Sequence, residues 1–196
     1  MPDYPRPTSS SYWVVPGRLL AGAYPGSRDE ELSRRNMAVF LDAAFDIFLD
    51  LTCEGELPPY QTFLMEGAAQ RGQSIHYQRF PIVDKGLPSV ETMTAILAAI
   101  DSSLVERRKV YLHCFGGIGR TGTVVGCYLA QHGQPGLEAI RRLQELYATS
   151  EQFTYFPCAP ETDQQVAFVL NWEKTSPPQT SGRPKSHAER SEASPR

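Results

Sequence analysis

A basic surplus, paired cysteines and a long apolar run are all missing from this 196-residue chain. Lys and Arg number 19 against 22 Asp and Glu, for a net charge of −3. No positive face therefore dominates, and a nucleic-acid binder is not expected. No apolar stretch approaches the roughly 20 residues of a bilayer-crossing helix, so no membrane insertion is expected. Residues 1–5 lack the basic-then-apolar order of a secretory leader. The cysteines at 53, 114, 127 and 158 form no Cys-x-x-Cys pair and no zinc spacing. That pattern suits reduced thiols in a cytoplasmic setting, with no bound metal and with one catalytic cysteine among them. What is present is ordinary globular material. Hydrophobic residues make up 41% of the chain, enough for a sizeable core in one domain.

Three regions are expected. Residues 1–11, rich in Pro and Ser, read as a flexible arm, and 12–174 as one folded domain. Residues 175–196 carry almost no apolar side chains and read as a disordered tail. Inside the domain, buried strands are predicted near 12–15, 18–22, 46–52, 74–83 and 109–113. Helical periodicity marks 29–42, a stretch from Pro58-Pro59 to Arg71, 89–108 capped by Ser89, 121–132, 135–149 and 161–173. Alternating strands and helices predict a single α/β domain with a central, mostly parallel sheet flanked by helices. In such sheets, sites lie beyond the carboxyl ends of the strands.

One segment at such an end carries chemistry: His113-Cys114-Phe115-Gly116-Gly117-Ile118-Gly119-Arg120-Thr121-Gly122. It leaves a strand and opens a helix, so backbone N–H groups converge where the helix end adds positive potential. Arg120 offers a planar fork for two phosphate oxygens. The same positive potential favours the thiolate of Cys114. A nucleophile at the floor of a phosphate cup implies a covalent phosphocysteine. Phe115, Gly116, Gly117, Ile118 and Gly119 would contribute their backbone amides. The segment fits a nucleotide-binding loop poorly, because Arg120 stands where a lysine belongs.

The run Cys-x-x-Gly-x-x-Arg-Thr-Gly, with His before Cys, resembles the signature of the cysteine-dependent protein tyrosine and dual-specificity phosphatases and their phosphoinositide-directed relatives. The resemblance implies a phosphatase fold that works without metal or organic cofactor on a phosphorylated protein. It implies Asp84, in Phe80-Pro81-Ile82-Val83-Asp84-Lys85-Gly86-Leu87-Pro88, as the general acid. Thr121 would hydrogen-bond the sulfur or cap the helix, and His113 would orient the loop. Asp50 is a poorer acid, being inside an apolar strand. Gln165, in Pro160-Glu161-Thr162-Asp163-Gln164-Gln165, resembles a water-positioning glutamine, although Glu161 replaces the first glutamine of that pattern. Cys53 stands where some dual-specificity phosphatases and a related lipid phosphatase place a redox partner of the nucleophile. Cys127 reads as core, and Cys158 receives no role.

No lysine lies between Cys114 and Arg120, which favours a substrate with one dianionic phosphate over an inositol polyphosphate. The expected activity is hydrolysis of phosphotyrosine in proteins, with phosphoserine and phosphothreonine as further substrates. The alternatives are a phosphoinositide or other small-phosphomonoester phosphatase and a non-catalytic phosphate-binding adaptor.

Overall fold

The computed structural model describes residues 4–175; the predicted disordered tail lies outside the described residues except for Thr175. A sheet in the order β1-β2-β5-β3-β4 runs through the middle. Its strands are β1 (Ser11–Val15), β2 (Leu19–Gly22), β3 (Ile47–Asp50), β4 (His76–Arg79) and β5 (Val110–His113). The first two form an antiparallel hairpin, and all other pairings are parallel. The sheet is thus mixed and mostly parallel, as the alternation of elements predicts.

Side-chain alternation along the strands builds two separate cores. Leu19, Ala21, Ile47, Leu49, Val110 and Leu112 pack into one cluster, while Leu20, Phe48 and Tyr111 pack into the other. A period of two sends neighbours to opposite faces. The first face carries α3 (Val90–Val105), α4 (Gly119–Gln131), α5 (Leu137–Tyr147) and α6 (Asp163–Thr175). The second carries α1 (Glu30–Asp42) and α2 (Gln61–Gln70). In α4 every residue from Gly119 to Ala130 is buried, because α5 and α6 pack over it. Cys127 is among them at 0% exposure, and burial pushes its thiol up, as expected of a core cysteine.

Element ends follow local chemistry. The Asp29 carboxylate caps α1 by accepting from the Leu32 N–H at 3.1 Å, and Ser89 caps α3 through the Thr92 N–H at 3.1 Å. The fourth strand is shorter than predicted. Pro81 has no N–H for the ladder, so β4 stops at Arg79, and only isolated bonds follow, such as Ile82 N–H to Leu51 O at 3.1 Å.

The N-terminal segment makes specific contacts with the domain. Its last residue, Ser11, already belongs to β1. Arg6 donates to Thr149 O at 2.6 Å, Trp13 Nε1 to Tyr4 O at 2.8 Å, and Ser9 bonds Glu151. Residues 4–11 are therefore tied to the rest of the domain at several points. Specific side-chain bonds hold them where composition alone suggests looseness.

Candidate active site

The carboxyl edge of the sheet collects the site. The chain leaves β5 at His113, passes through residues 114–118 and enters α4 at Gly119. Cys114 and Arg120, at the two ends of this loop, are 3% and 2% exposed. Gly117 adopts φ +73°, and a Cβ there would lie 2.4 Å from the Gly22 carbonyl carbon. Only glycine lets the loop press this closely against the end of β2. Ile118 precedes α4 without a side-chain cap. The helix end is thus left without an internal acceptor, an arrangement suited to an anion.

Arg120 is gripped on several sides. Its Nη1 donates to Glu56 Oε2 at 2.8 Å and to Ile82 O at 3.0 Å, and its Nη2 to Glu56 Oε1 at 2.6 Å. Asp84 Oδ1 lies 3.0 Å from Nη2. Burial opposes the arginine's charge, but the hydrogen bonds to Glu56 and the neighbouring Cys114 and Asp84 side chains outweigh it and hold the guanidinium firmly ionised. In turn, the Arg120 hydrogen bond draws the Glu56 carboxyl below the usual range. This two-pronged clamp fixes the plane of the fork. Glu56 escaped the sequence reading, since one glutamate in a Gly-containing loop carries no signal of its partner.

Asp84 therefore lies beside the arginine of the loop, with its side chain 58% exposed. The turn that carries it closes through Gly86 N–H to Val83 O at 2.8 Å, with Lys85 at φ +59°. Lys85 pairs with Glu161 at 3.3 Å, and Gln165 Nε2 donates to Gly86 O at 3.2 Å. The other end of the Gln165 amide accepts from Glu161 N–H and Thr162 N–H at 3.1 and 3.2 Å. Gln165 is fully buried and close against Gly119. Its described bonds make it a strut between the start of α6 and the aspartate turn.

Behind the loop, His113 is fully buried among the rings of Tyr24, Tyr60 and Tyr111. Its Nε2 meets the Tyr60 hydroxyl at 2.7 Å, and its Nδ1 lies 3.4 Å from Cys114 O. The imidazole thus lies directly behind the nucleophile's own peptide. Asp50 faces both neighbouring strands: its register partners are Arg79 on β4 and His113 on β5. Its carboxylate accepts from Thr52 N–H at 2.8 Å, Thr52 Oγ1 at 2.7 Å and Tyr77 OH at 2.6 Å, and pairs with Arg79 at 3.2 Å. Burial alone would raise this carboxyl, but the facing His113 and the Tyr77 and Thr52 bonds lower it. Burial also lowers His113, against the pull of Asp50.

Thr121 departs from expectation. The helix begins two residues earlier than predicted, so Thr121 lies inside the first turn and cannot be the cap. Its buried hydroxyl has no hydrogen-bond partner among the described residues, and the expected bond to sulfur is not formed. Cys53 is a half-buried free thiol whose backbone N–H donates to Glu56 Oε2 at 2.9 Å. Cys114 is also a free thiol.

A cavity of about 420 Å³ opens over this floor, lined by Asp84, Cys114, Phe115, Arg120, Phe156 and Glu161 among others. Its two cations, Arg120 and Lys85, are each already opposite a carboxylate. Among the described residues, no group of three or more His, Cys, Asp or Glu side chains is placed to hold a metal ion. Nor is any described helix long and apolar enough to cross a membrane.

Residues 8–169 match the family model of the Swiss Army Knife protein DSP-PTPase phosphatase domain. The chain belongs to this family. Human cyclin-dependent kinase inhibitor 3 is 32% identical over 118 residues, 56% of this chain and 54% of that protein. The Arabidopsis thaliana protein named phosphatidylinositol 3,4,5-trisphosphate 3-phosphatase and protein-tyrosine-phosphatase PTEN1 is 26% identical over 84% of this chain and 39% of its own length. This chain spans little more than half the length of the first curated relatives it matches. Among solved structures, Tk-PTP in its active form superposes with a TM-score of 0.62 at 26% identity, covering 85% of this chain and 97% of that one.

Proposed function

We propose that this DSP-PTPase domain hydrolyses phosphate monoesters through a phosphocysteine on Cys114, with phosphotyrosine in proteins as the main substrate and phosphoserine and phosphothreonine as further ones. The observation that carries this reading is the convergence of Cys114, Arg120 and Asp84 on one cavity. The Cys114 thiolate attacks phosphorus while the bond to the leaving oxygen breaks and Asp84 supplies that oxygen's proton. Arg120 and the amides of residues 115–119 hold the non-bridging oxygens as charge shifts onto them. Water then attacks phosphorus, Asp84 takes its proton, and the sulfur departs as thiolate. Thiolate, guanidinium and amides supply the charge inventory, so the proposed reaction calls for no cofactor. Thiol chemistry needs a reducing compartment, which favours the cytoplasm.

The carboxylates already facing Arg120 and Lys85 support a substrate with a single dianionic phosphate, because no unpaired cation of the cavity is left for a second one. Likeness to the Arabidopsis protein favours phosphoinositides as the second reading. Cys53 is proposed as the partner that captures an oxidised Cys114 in a disulfide after peroxide treatment, detectable as a linked peptide pair. The deciding experiment compares turnover of a phosphotyrosine peptide, a phosphothreonine peptide and a phosphoinositide by the wild type and by Cys114→Ser. The expected pattern is fastest release from phosphotyrosine, lost in the variant, which still binds the peptide. Turnover of the lipid alone would reverse the choice of substrate. Binding without turnover by the wild type would make the domain an adaptor.

A further inference from the structure

Helix α5 carries two apolar edges, and folding uses one of them. Ala139, Leu143 and Tyr147, spaced four residues apart, are fully buried. Leu137 lies off that stripe and is 76% exposed. It borders a groove of about 650 Å³ whose other apolar walls include Ile140, Ala159, Pro160 and Val166. A lone exposed leucine is ordinary, but one beside a continuous apolar groove marks a surface that gains from being covered.

The groove is also held firmly. Gln144 on α5 grips the opposite wall: its amide oxygen accepts from Ala159 N–H at 3.1 Å, and its nitrogen donates to Pro157 O. Pro160 presses on the first turn of α4, where a Cβ at Gly122 would lie 3.3 Å from the Pro160 Cα. A surface fixed in this way loses little conformational freedom when something docks on it.

Two charges on the groove stand without partners. Glu138 and Arg141 both line it, three residues apart on one face of the helix. Neither side chain makes a hydrogen bond or ion pair with any described residue. Their neighbour Arg142 does pair, with Glu145 at 2.9 Å. An occupant of one sign would answer one of the two charges and face the other with its like. A second copy answers both, because a twofold axis crossing α5 between them sets Glu138 of each chain opposite Arg141 of the other. Residues 176–196 of the same chain are a poorer occupant, since they carry Arg183, Lys185, Arg190 and Arg196 but almost no apolar side chains.

We propose that this face is a self-complementary dimer contact: two copies pack α5 against α5 in antiparallel fashion, cover both Leu137 side chains and both grooves, and close two Glu138–Arg141 pairs. A contact confined to one helix face and one groove is small, so the dimer forms reversibly as concentration rises.

The test is sedimentation velocity of the full chain from low micromolar to submillimolar concentration. The wild type should pass from monomer to dimer. Glu138→Arg and Arg141→Glu should each weaken association about tenfold or more, because each sets like charges opposite one another twice. An equimolar mixture of the two variants should associate as the wild type does, since both cross-chain pairs are then restored. Leu137→Ser should weaken association in a way that mixing with either charge variant does not repair. A wild type that stays monomeric throughout, single variants that associate undiminished, or a mixture that fails to recover would each overturn the α5 contact. Variants that leave the oligomeric state unchanged but raise KM for a phosphopeptide would overturn it as well, and would give the groove to a phosphoprotein instead.

Discussion

The two sides of the site are built on opposite plans. On one side, Cys114, His113 and Arg120 are buried, held between strand and helix, and fixed by a glycine that touches the next strand. On the other, Asp84 and Lys85 are more than half exposed on a short turn, braced by Gln165 and the Lys85–Glu161 pair. Positioning of a phosphate needs geometry that does not move, because the hydrogen-bond donors must already point where charge develops. Proton delivery to leaving groups of different size tolerates, and profits from, a turn that can adjust. The difference teaches which interactions are built into the core of the domain and which are left at its surface.

Substitutions can break or sharpen that contrast. Arg120→Lys should be the most severe, lowering kcat/KM roughly 10²–10³-fold. A lysine cannot bridge two phosphate oxygens or fill both arms of the Glu56 clamp. Asp84→Asn should cost about 10²-fold on an alkyl phosphate but much less on a nitrophenyl ester, whose leaving oxygen needs no proton. Were Arg120→Lys tolerated and Asp84→Asn lethal on every ester, the division between fixed and adjustable sides would be reversed. Gln165→Ala removes one strut of the aspartate turn. The expected loss is about fivefold in kcat, the worth of one hydrogen bond, with KM little changed. A rise in KM alone would mean that Gln165 serves substrate binding instead.

The smallest effect concerns the buried pair behind the loop. Asp50 and His113 both have folded pKa values below their ordinary ones. Each therefore binds protons more readily in the unfolded chain, so stability rises with pH. The contribution is complete above the ordinary values and is lost as pH falls from them toward the lowered ones. Melting temperature should accordingly drop on going from pH 7 to 5 through His113, and further below pH 4 through Asp50. In His113→Asn the first part of that drop should vanish; an unchanged slope would assign it to other groups.

The buried side of the site was also the legible one. Gly117, Cys114 and Arg120 belong to one contiguous segment whose residue types each suit the one proposed anion site, so their relation is visible along the chain. The strands expected at 18–22 and 109–113 were likewise legible, and both are present in the sheet. Glu56 and Asp50 were not legible, because their meaning depends on partners brought by other strands: Arg120 lies on another element, and Arg79 and His113 are Asp50's neighbours only by sheet register. The cap reading of Thr121 failed for a local reason, the two-residue error in where α4 begins. The contacts of residues 4–11 were not legible for a tertiary reason, since their bonds run to distant residues such as Thr149 and Glu151.

The sharpest measurement is rapid acid quench of wild-type enzyme during turnover of a phosphotyrosine peptide, followed by mass spectrometry of the proteolysed chain. Phosphocysteine chemistry predicts one added phosphoryl group, located on Cys114 and absent from Cys114→Ser. Undiminished turnover by Cys114→Ser, or a phosphoryl group carried on any other residue, would contradict it.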